Sequence, residues 1–265
     1  MVAQRVTQSG RLTSIQGLFA MRSLSGLTLF CDFDGPIIDV SDRYYETYLL
    51  GLSDVQTFYQ TRGVSVPVHR LSKAQFWDMK QNRVPDVEIA LRSGLRGDQI
   101  EVFLKRVVEI VNRPDLLQKD TLQPGARWAL SLLRAQGARL VLVTLRCRDQ
   151  ATQVLESHGL LDLFNGIWGM QDAGAAYANQ AEHKTGLLAE AIATMGSGST
   201  AWMVGDTEAD VIAGQAAGIA TIALTCGIRS QSYLKKFEPT RLHSDLLSAV
   251  HYLVYQSENC SMSVA

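Results

Sequence analysis

LTLFCDFDGPIID, residues 27–39, sets five strand-forming residues directly in front of three aspartates. Leu27 to Cys31 has the length and near-continuous apolar character of a strand covered on both faces. Gly35-Pro36 then stops regular structure. Such a strand hands Asp32 and Asp34 to the place where open parallel sheets bind ligands, just outside their carboxyl ends.

The same rhythm returns after Pro124-Gly125. Ala126 to Gln136 reads as a helix, Ala138 to Thr144 (ARLVLVT) as a strand and Gln150 to His158 as a helix. Gly166 to Gly169 is a short apolar run, and Thr185 to Met195 is helical. Ala201 to Val204 is a strand ending at Gly205-Asp206. A helix over Ala209 to Ala217 and a strand over Ile219 to Thr225 follow. Alternating strands and helices imply βαβ units, hence an α/β fold with a Rossmann-like, doubly wound parallel sheet.

Ser41 to about Asp120 carries helical periodicity instead. Phe103, Val107 and Ile110 form one stripe, Ser72 can cap a helix holding Phe76, Trp77 and Met79, and Val84-Pro85-Asp86 marks a break. The expected organisation is therefore an α/β core of residues 27–40 and 121–250, with a helical cap of residues 41–120 inserted after the first strand. Residues 251–265 are expected to be a C-terminal tail. Residues 1–26 hold Arg5, Arg11 and Arg22 and no acid. They are expected to be a tail or a false start ahead of Met21, in preference to a transit-like segment.

The 265 residues are 46% hydrophobic and 19% charged, with 25 basic against 26 acidic side chains. A net charge of -1 gives no electrostatic reason for nucleic acid or an anionic membrane as partner. No apolar run has the length of a membrane-spanning helix. Among the four cysteines there is no CxxC pair, and Asn259-Cys260-Ser261 is an incidental sequon. Disulfides are unexpected at this size, so the compartment expected is the cytoplasm. The sequence sets no oligomeric state.

Strand ends carry the chemistry. The first delivers Asp32 and Asp34, the second Thr144, and the strand at Ala201–Val204 delivers Asp206, with Asp210 one helical turn on; Lys184 opens the helix before it. Crowded carboxylates repel unless a cation sits among them. Hard oxygen donors suit Mg²⁺, which takes one or two carboxylates together with a substrate phosphate. Asp32 could then attack phosphorus, Asp34 could protonate the leaving oxygen and later activate water, and Thr144 and Lys184 could hold phosphate oxygens. Taken singly, each residue is a turn, cap or surface group. Their joint placement at strand ends is what points to a site.

Asp32-Phe33-Asp34-Gly35-Pro36-Ile37-Ile38-Asp39 resembles the DxDGxxxD signature of the haloacid dehalogenase (HAD) superfamily. Leu140 to Thr144 is similar to its second motif, Lys184 to its third-motif lysine, and Val204-Gly205-Asp206-Thr207-Glu208-Ala209-Asp210 to its fourth, GDxxxD. The resemblance covers about residues 27 to 230 and is most specific in the first and fourth motifs. It implies a Rossmann-like core with an inserted helical cap and Asp32 as the phosphorylated nucleophile. It implies Asp34 as acid/base, and Mg²⁺ held by Asp32, the Asp34 carbonyl and Asp206. Asp210 is then a further member of the metal site, or a partner of Lys184, and Thr144 and Lys184 hold the phosphate.

Asp34 favours phosphoryl transfer over carbon–halogen hydrolysis, since the dehalogenating branch lacks an acid there. A phosphonate-cleaving relative needs a cap lysine; Lys73 and Lys80 are nearest, without a supporting motif. Met79-Lys80-Gln81-Asn82-Arg83 loosely resembles the KGxxR cap loop of β-phosphoglucomutase-like proteins, but lacks the glycine and is one residue short. Tyr44 and Tyr45 stand where that branch carries a histidine. The expected function is thus an Mg²⁺-dependent phosphatase of a small phosphorylated metabolite, with a phosphosugar mutase or a non-catalytic module as alternatives.

Lys80, Arg83 and Arg146 are the candidate substrate contacts, each also readable as a surface charge. Gly196 to Thr200 is a connector, because it precedes a strand instead of following one. The four tryptophans, Trp77, Trp128, Trp168 and Trp202, are expected in the core.

Overall fold

The computed structural model describes residues 23–171 and 175–256. Strand β1 (Leu27–Cys31) is buried along its whole length. After it come β2 (Ile38–Asp39) and the helices α1 (Ser41–Gln60), α2 (Lys73–Gln81), α3 (Asp86–Arg92), α4 (Asp98–Ile110) and α5 (Pro114–Leu117). The chain returns through β3 (Thr121–Leu122), which pairs antiparallel with β2. Then follow α6 (Ala126–Ala135), β4 (Arg139–Cys147), α7 (Arg148–Ser157), β5 (Gly166–Met170), α8 (Ala175–Ala178), α9 (Ala181–Met195), β6 (Thr200–Gly205), α10 (Glu208–Ala216), β7 (Ala220–Leu224), α11 (Gln231–Leu234), β8 (Arg241–His243) and α12 (Leu246–Gln256).

The main sheet runs β5-β4-β1-β6-β7-β8, and its pairings are parallel. This is the α/β, doubly wound parallel architecture expected. The order places β1 at the centre, flanked by β4 and β6, so the ends of these three strands lie side by side. On one face α6 and α12 cover the sheet; on the other, α9 and α10 pack together against β4, β6 and β7.

Local signals in the helical segment work as the sequence suggests. Ser72 closes a capping box on α2 with Gln75. In α1, Tyr48, Leu52 and Val55 are buried, and in α4 so are Phe103, Val107 and Ile110. The two stripes recur at three- and four-residue spacing, which lets one helix lie on the other.

Several boundaries differ from expectation. Strand β4 does not end at Thr144 but runs on to Cys147 through an irregularity in its register with β5. Residues 251–254 are not a tail: α12 continues through them, and Leu253 and Val254 join Leu246, Ala249 and Val250 in the core. At the other end, Leu24 is buried, and its N–H donates to the Gln136 carbonyl at 2.6 Å. Order therefore begins before residue 27, while residues 1–22 and 257–265 lie outside the described residues. Trp128 is not core; it is 76% exposed on the outer face of α6. Trp77, Trp168 and Trp202 are half-buried against the core.

Candidate active site

Asp32 and Asp206 directly follow β1 and β6, Thr144 lies beside them within β4, three residues before its end, and Lys184 reaches Asp32 from the first turn of α9. Lys184 is 1% exposed, and its Nζ lies 2.7 Å from Asp32 Oδ1 and 2.8 Å from Asp210 Oδ1. Asp32 Oδ1 also accepts the Phe33 N–H at 2.7 Å. Asp210 is fully engaged, because its Oδ2 accepts from both the backbone N–H and the hydroxyl of Thr207. That capping box opens α10 and fixes the start of the helix.

Oxygens of Asp32, Asp206 and Asp210 lie within 4.8 Å of one another, all three residues buried. Burial, partly countered by Lys184, pushes the Asp32 carboxyl up to about 7. Burial and the neighbouring carboxylates of Asp32 and Asp210 push Asp206 well above the usual range. Three carboxylates face one ammonium, a deficit that one divalent cation would balance, and the donors are hard oxygens. The residues thus fit a divalent metal. Glycines keep the cluster tight, Gly227 against Asp206 among them. Gly35 has φ +92°, and a Cβ there would collide with the Asp206 carboxylate; a Cβ on Gly205 would collide with Asp210.

Thr144 is buried, and its Oγ1 accepts the Arg146 N–H at 3.1 Å. Asp34 takes no part in the three-carboxylate cluster through its side chain. Its Oδ2 lies 3.3 Å from Arg43 Nη2 and its Oδ1 3.2 Å from Arg146 Nε. Arg146 is 2% exposed, which rules out a solvated basic turn; Arg148 beside it is exposed. Arg146 Nη1 is buried without a hydrogen-bond partner.

A cavity of about 50 Å³ opens over these groups, lined by Asp32, Asp34, Thr144, Arg146 and Asp206 below and by Tyr44, Lys80, Arg83, Tyr177 and Arg229 around the rim. Lys80 is no surface charge. Its Nζ pairs with Asp86 at 2.9 Å and sits over the stacked rings of Tyr44 and Tyr177. The Tyr177 hydroxyl donates to the other Asp86 oxygen at 2.6 Å. Burial, opposed by Asp86, lowers the Lys80 pKa. Arg83, at the positive φ of 58°, reaches Glu208 at 3.3 Å. Glu208 also holds Arg229 at 2.7 Å. Lys73, by contrast, pairs with Asp42 at the surface.

Sequence reasoning missed Arg43, Asp86, Asp120, Tyr177, Glu208 and Arg229. The only signal available was position: Glu208 lies inside the fourth motif, and Arg43 and Tyr44 sit just past the first.

A family model for haloacid dehalogenase-like hydrolases matches residues 29–224. The chain belongs to that family. It is 28% identical over 233 residues to the "Probable phosphatase IndB" of Dickeya dadantii, spanning 86% of this chain and 95% of the relative. It is 26% identical over 136 residues to a phosphoglycolate phosphatase of Psychrobacter arcticus, spanning 51% and 57%. A haloacid dehalogenase-like protein of Streptococcus pneumoniae has the same fold, with TM-score 0.58 at 21% identity over 86% of this chain and 98% of that one. The expected HAD-type hydrolase of the phosphatase kind therefore stands. Among the described residues no helix is long and apolar enough to cross a membrane.

Proposed function

We propose that the protein is an Mg²⁺-dependent phosphatase that hydrolyses a small phosphorylated metabolite through an aspartyl-phosphate on Asp32. The observation that carries this reading is the floor of the cavity. One carboxylate, Asp32, is held by Lys184 at 2.7 Å beside two further buried aspartates, and the cavity above it is small.

In the first step Asp32 attacks phosphorus while Asp34 gives a proton to the departing oxygen. In the second, Asp34 takes a proton from water as that water displaces Asp32 from phosphorus. Lys184 and the Thr144 hydroxyl hold phosphate oxygens, and Arg146 offers its unpaired Nη1 to an anion. Asp32, Asp206 and the Asp34 carbonyl would hold Mg²⁺, with Asp210 behind them steering Lys184. The bound ion supplies charge neutralisation between the nucleophile and an anionic phosphate.

Residues 41–120 serve as a cap over a core of residues 24–40 and 121–254. Support comes from the seam, where Gln81 and Asn82 hydrogen-bond to residues 227–230. Lys80 and Arg83 bring cap charges to the substrate. Free Cys31, Cys147 and Cys226 accord with a cytoplasmic setting.

The test is phosphate release from phosphoglycolate, ribose 5-phosphate, glucose 6-phosphate, AMP and acetyl phosphate, with and without Mg²⁺, with Asp32→Asn as the blank. Metal-dependent release that falls at least about 10³-fold in the variant is expected. Comparable release by Asp32→Asn overturns the covalent mechanism. Isomerisation of a sugar phosphate without release would place the protein among the mutases.

A further inference from the structure

Behind the nucleophile lies a second buried charge cluster, which closes on itself. Asp34 Oδ2 faces Arg43 Nη2 at 3.3 Å, and Arg43 Nε faces Asp120 Oδ1 at 2.9 Å. Asp120 Oδ2 accepts from Arg146 Nη2, and Arg146 Nε returns to Asp34 Oδ1 at 3.2 Å. Acid and base alternate around the ring. The side chains of Arg43, Asp120 and Arg146 are each 2% exposed.

The four members come from four places: the loop after β1, the first turn of α1, the residue before β3 and the end of β4. Asp34 and Arg146 line the cavity; Asp120 and Arg43 do not. A buried ionic ring is a poor stabiliser, since apolar side chains of equal volume usually do as well. What it supplies is geometry. Each oxygen of Asp34 faces a different guanidinium, and each guanidinium faces an oxygen of Asp120; Arg43 Nη2 to Asp34 and Arg146 Nη2 to Asp120 are hydrogen bonds, and the other two links are charge contacts. With Asp120 neutral, both arginines lose their shared anionic anchor: Arg43 keeps the Asn112 amide oxygen at 3.0 Å behind it, and Arg146 the Phe33 ring, so the two forks on Asp34 are no longer fixed against each other.

We propose that Asp120 is a positioning residue which, through Arg43 and Arg146, sets the carboxylate of Asp34 for proton transfer at the leaving oxygen. This rests on the reading of Asp34 as acid/base. The step it governs balances simply. The bond from phosphorus to the leaving oxygen breaks as the Asp32–phosphorus bond forms, and the Asp34 proton passes to that oxygen. An alkoxide needs that proton; acetate leaves as the anion and does not.

The experiment compares Asp120→Asn with wild type on acetyl phosphate and on the best alkyl phosphate of the panel above, reading kcat/KM for each. Thermal unfolding is run in parallel. The expected result is a loss of about 30-fold on the alkyl phosphate, with a loss under about 3-fold on acetyl phosphate. Arg43→Gln breaks the ring from the other side and should give the same contrast, which covers failure of Asp120→Asn to fold. Equal losses on both substrates, or none, overturn the proposal, because a merely structural defect ignores the leaving group. A wild-type protein inactive on every substrate overturns the phosphatase reading and this inference with it.

Discussion

Lys184 is the cation shared by two of the three clustered aspartates. It is the ammonium within 2.8 Å of both Asp32 and Asp210, and it is 1% exposed. Those carboxylates push its pKa up against the opposing effect of burial, so it stays charged throughout the physiological range. Lys184→Met would leave buried carboxylates without their cation. Breaking a buried pair from one side costs about 3–5 kcal/mol. The loss of metal-free stability should therefore be large at pH 8 and smaller near pH 5, where Asp32 takes up a proton. Thermal unfolding at the two pH values checks this; an equal loss at both would show that the ammonium acts through packing alone. At this scale Asp32 and Asp206 were legible, because a strand's carboxyl end is readable from a short apolar run; Thr144 was found although β4 runs three residues past it. The Asp34–Arg43–Asp120–Arg146 ring was not. Its members are separated by up to 112 positions, from Asp34 to Arg146, and no periodicity links a buried arginine to its partner.

The elements were legible where pattern and packing agree. Helix α6 shows both success and failure. Ala126, Ala129, Leu130 and Leu133 are buried at helical spacing, as an amphipathic stripe requires. Trp128 falls between them in sequence and so points outward, although size and hydrophobicity alone assigned it to the core. Trp128→Gln should change stability by no more than about 0.5 kcal/mol. Leu130→Ala, two residues on and fully buried, should cost about 2–5 kcal/mol. Denaturant unfolding of the two variants decides the matter, and a costly Trp128→Gln would reveal a partner for that face. Strand β4 failed differently. Arg146 and Cys147 break the apolar run, yet the strand continues past Thr144 through a register shift against β5. A polar residue inside a buried strand reads as an end unless its counter-charges are known, and Asp34 and Asp120 lie far away in sequence.

For the whole molecule the proposed metal site implies a stability that should depend on metal and proton together. In the metal-free protein Asp32 rises from an ordinary 3.8 to about 7. The folded chain therefore binds this proton more tightly than the unfolded one. The associated stability is complete below pH 4 and is lost as pH rises through 7. Asp206 is shifted in the same direction, chiefly by burial. Glu208 goes the opposite way, held down by Arg229 despite its burial, so a raw pH profile would mix the two signs. Comparison with Asp32→Asn separates them, since its amide is neutral at every pH. The metal-free variant should match wild type near pH 3 and exceed it in Tm by about 4 °C or more at pH 8. Mg²⁺ competes with the same protons, so it should raise the wild-type Tm strongly at pH 8 and little at pH 5. In Asp32→Asn the Mg²⁺ increment should shrink at both. An undiminished increment in the variant would remove Asp32 from the metal site, and a wild-type Tm that Mg²⁺ leaves unmoved at pH 8 would remove the metal itself.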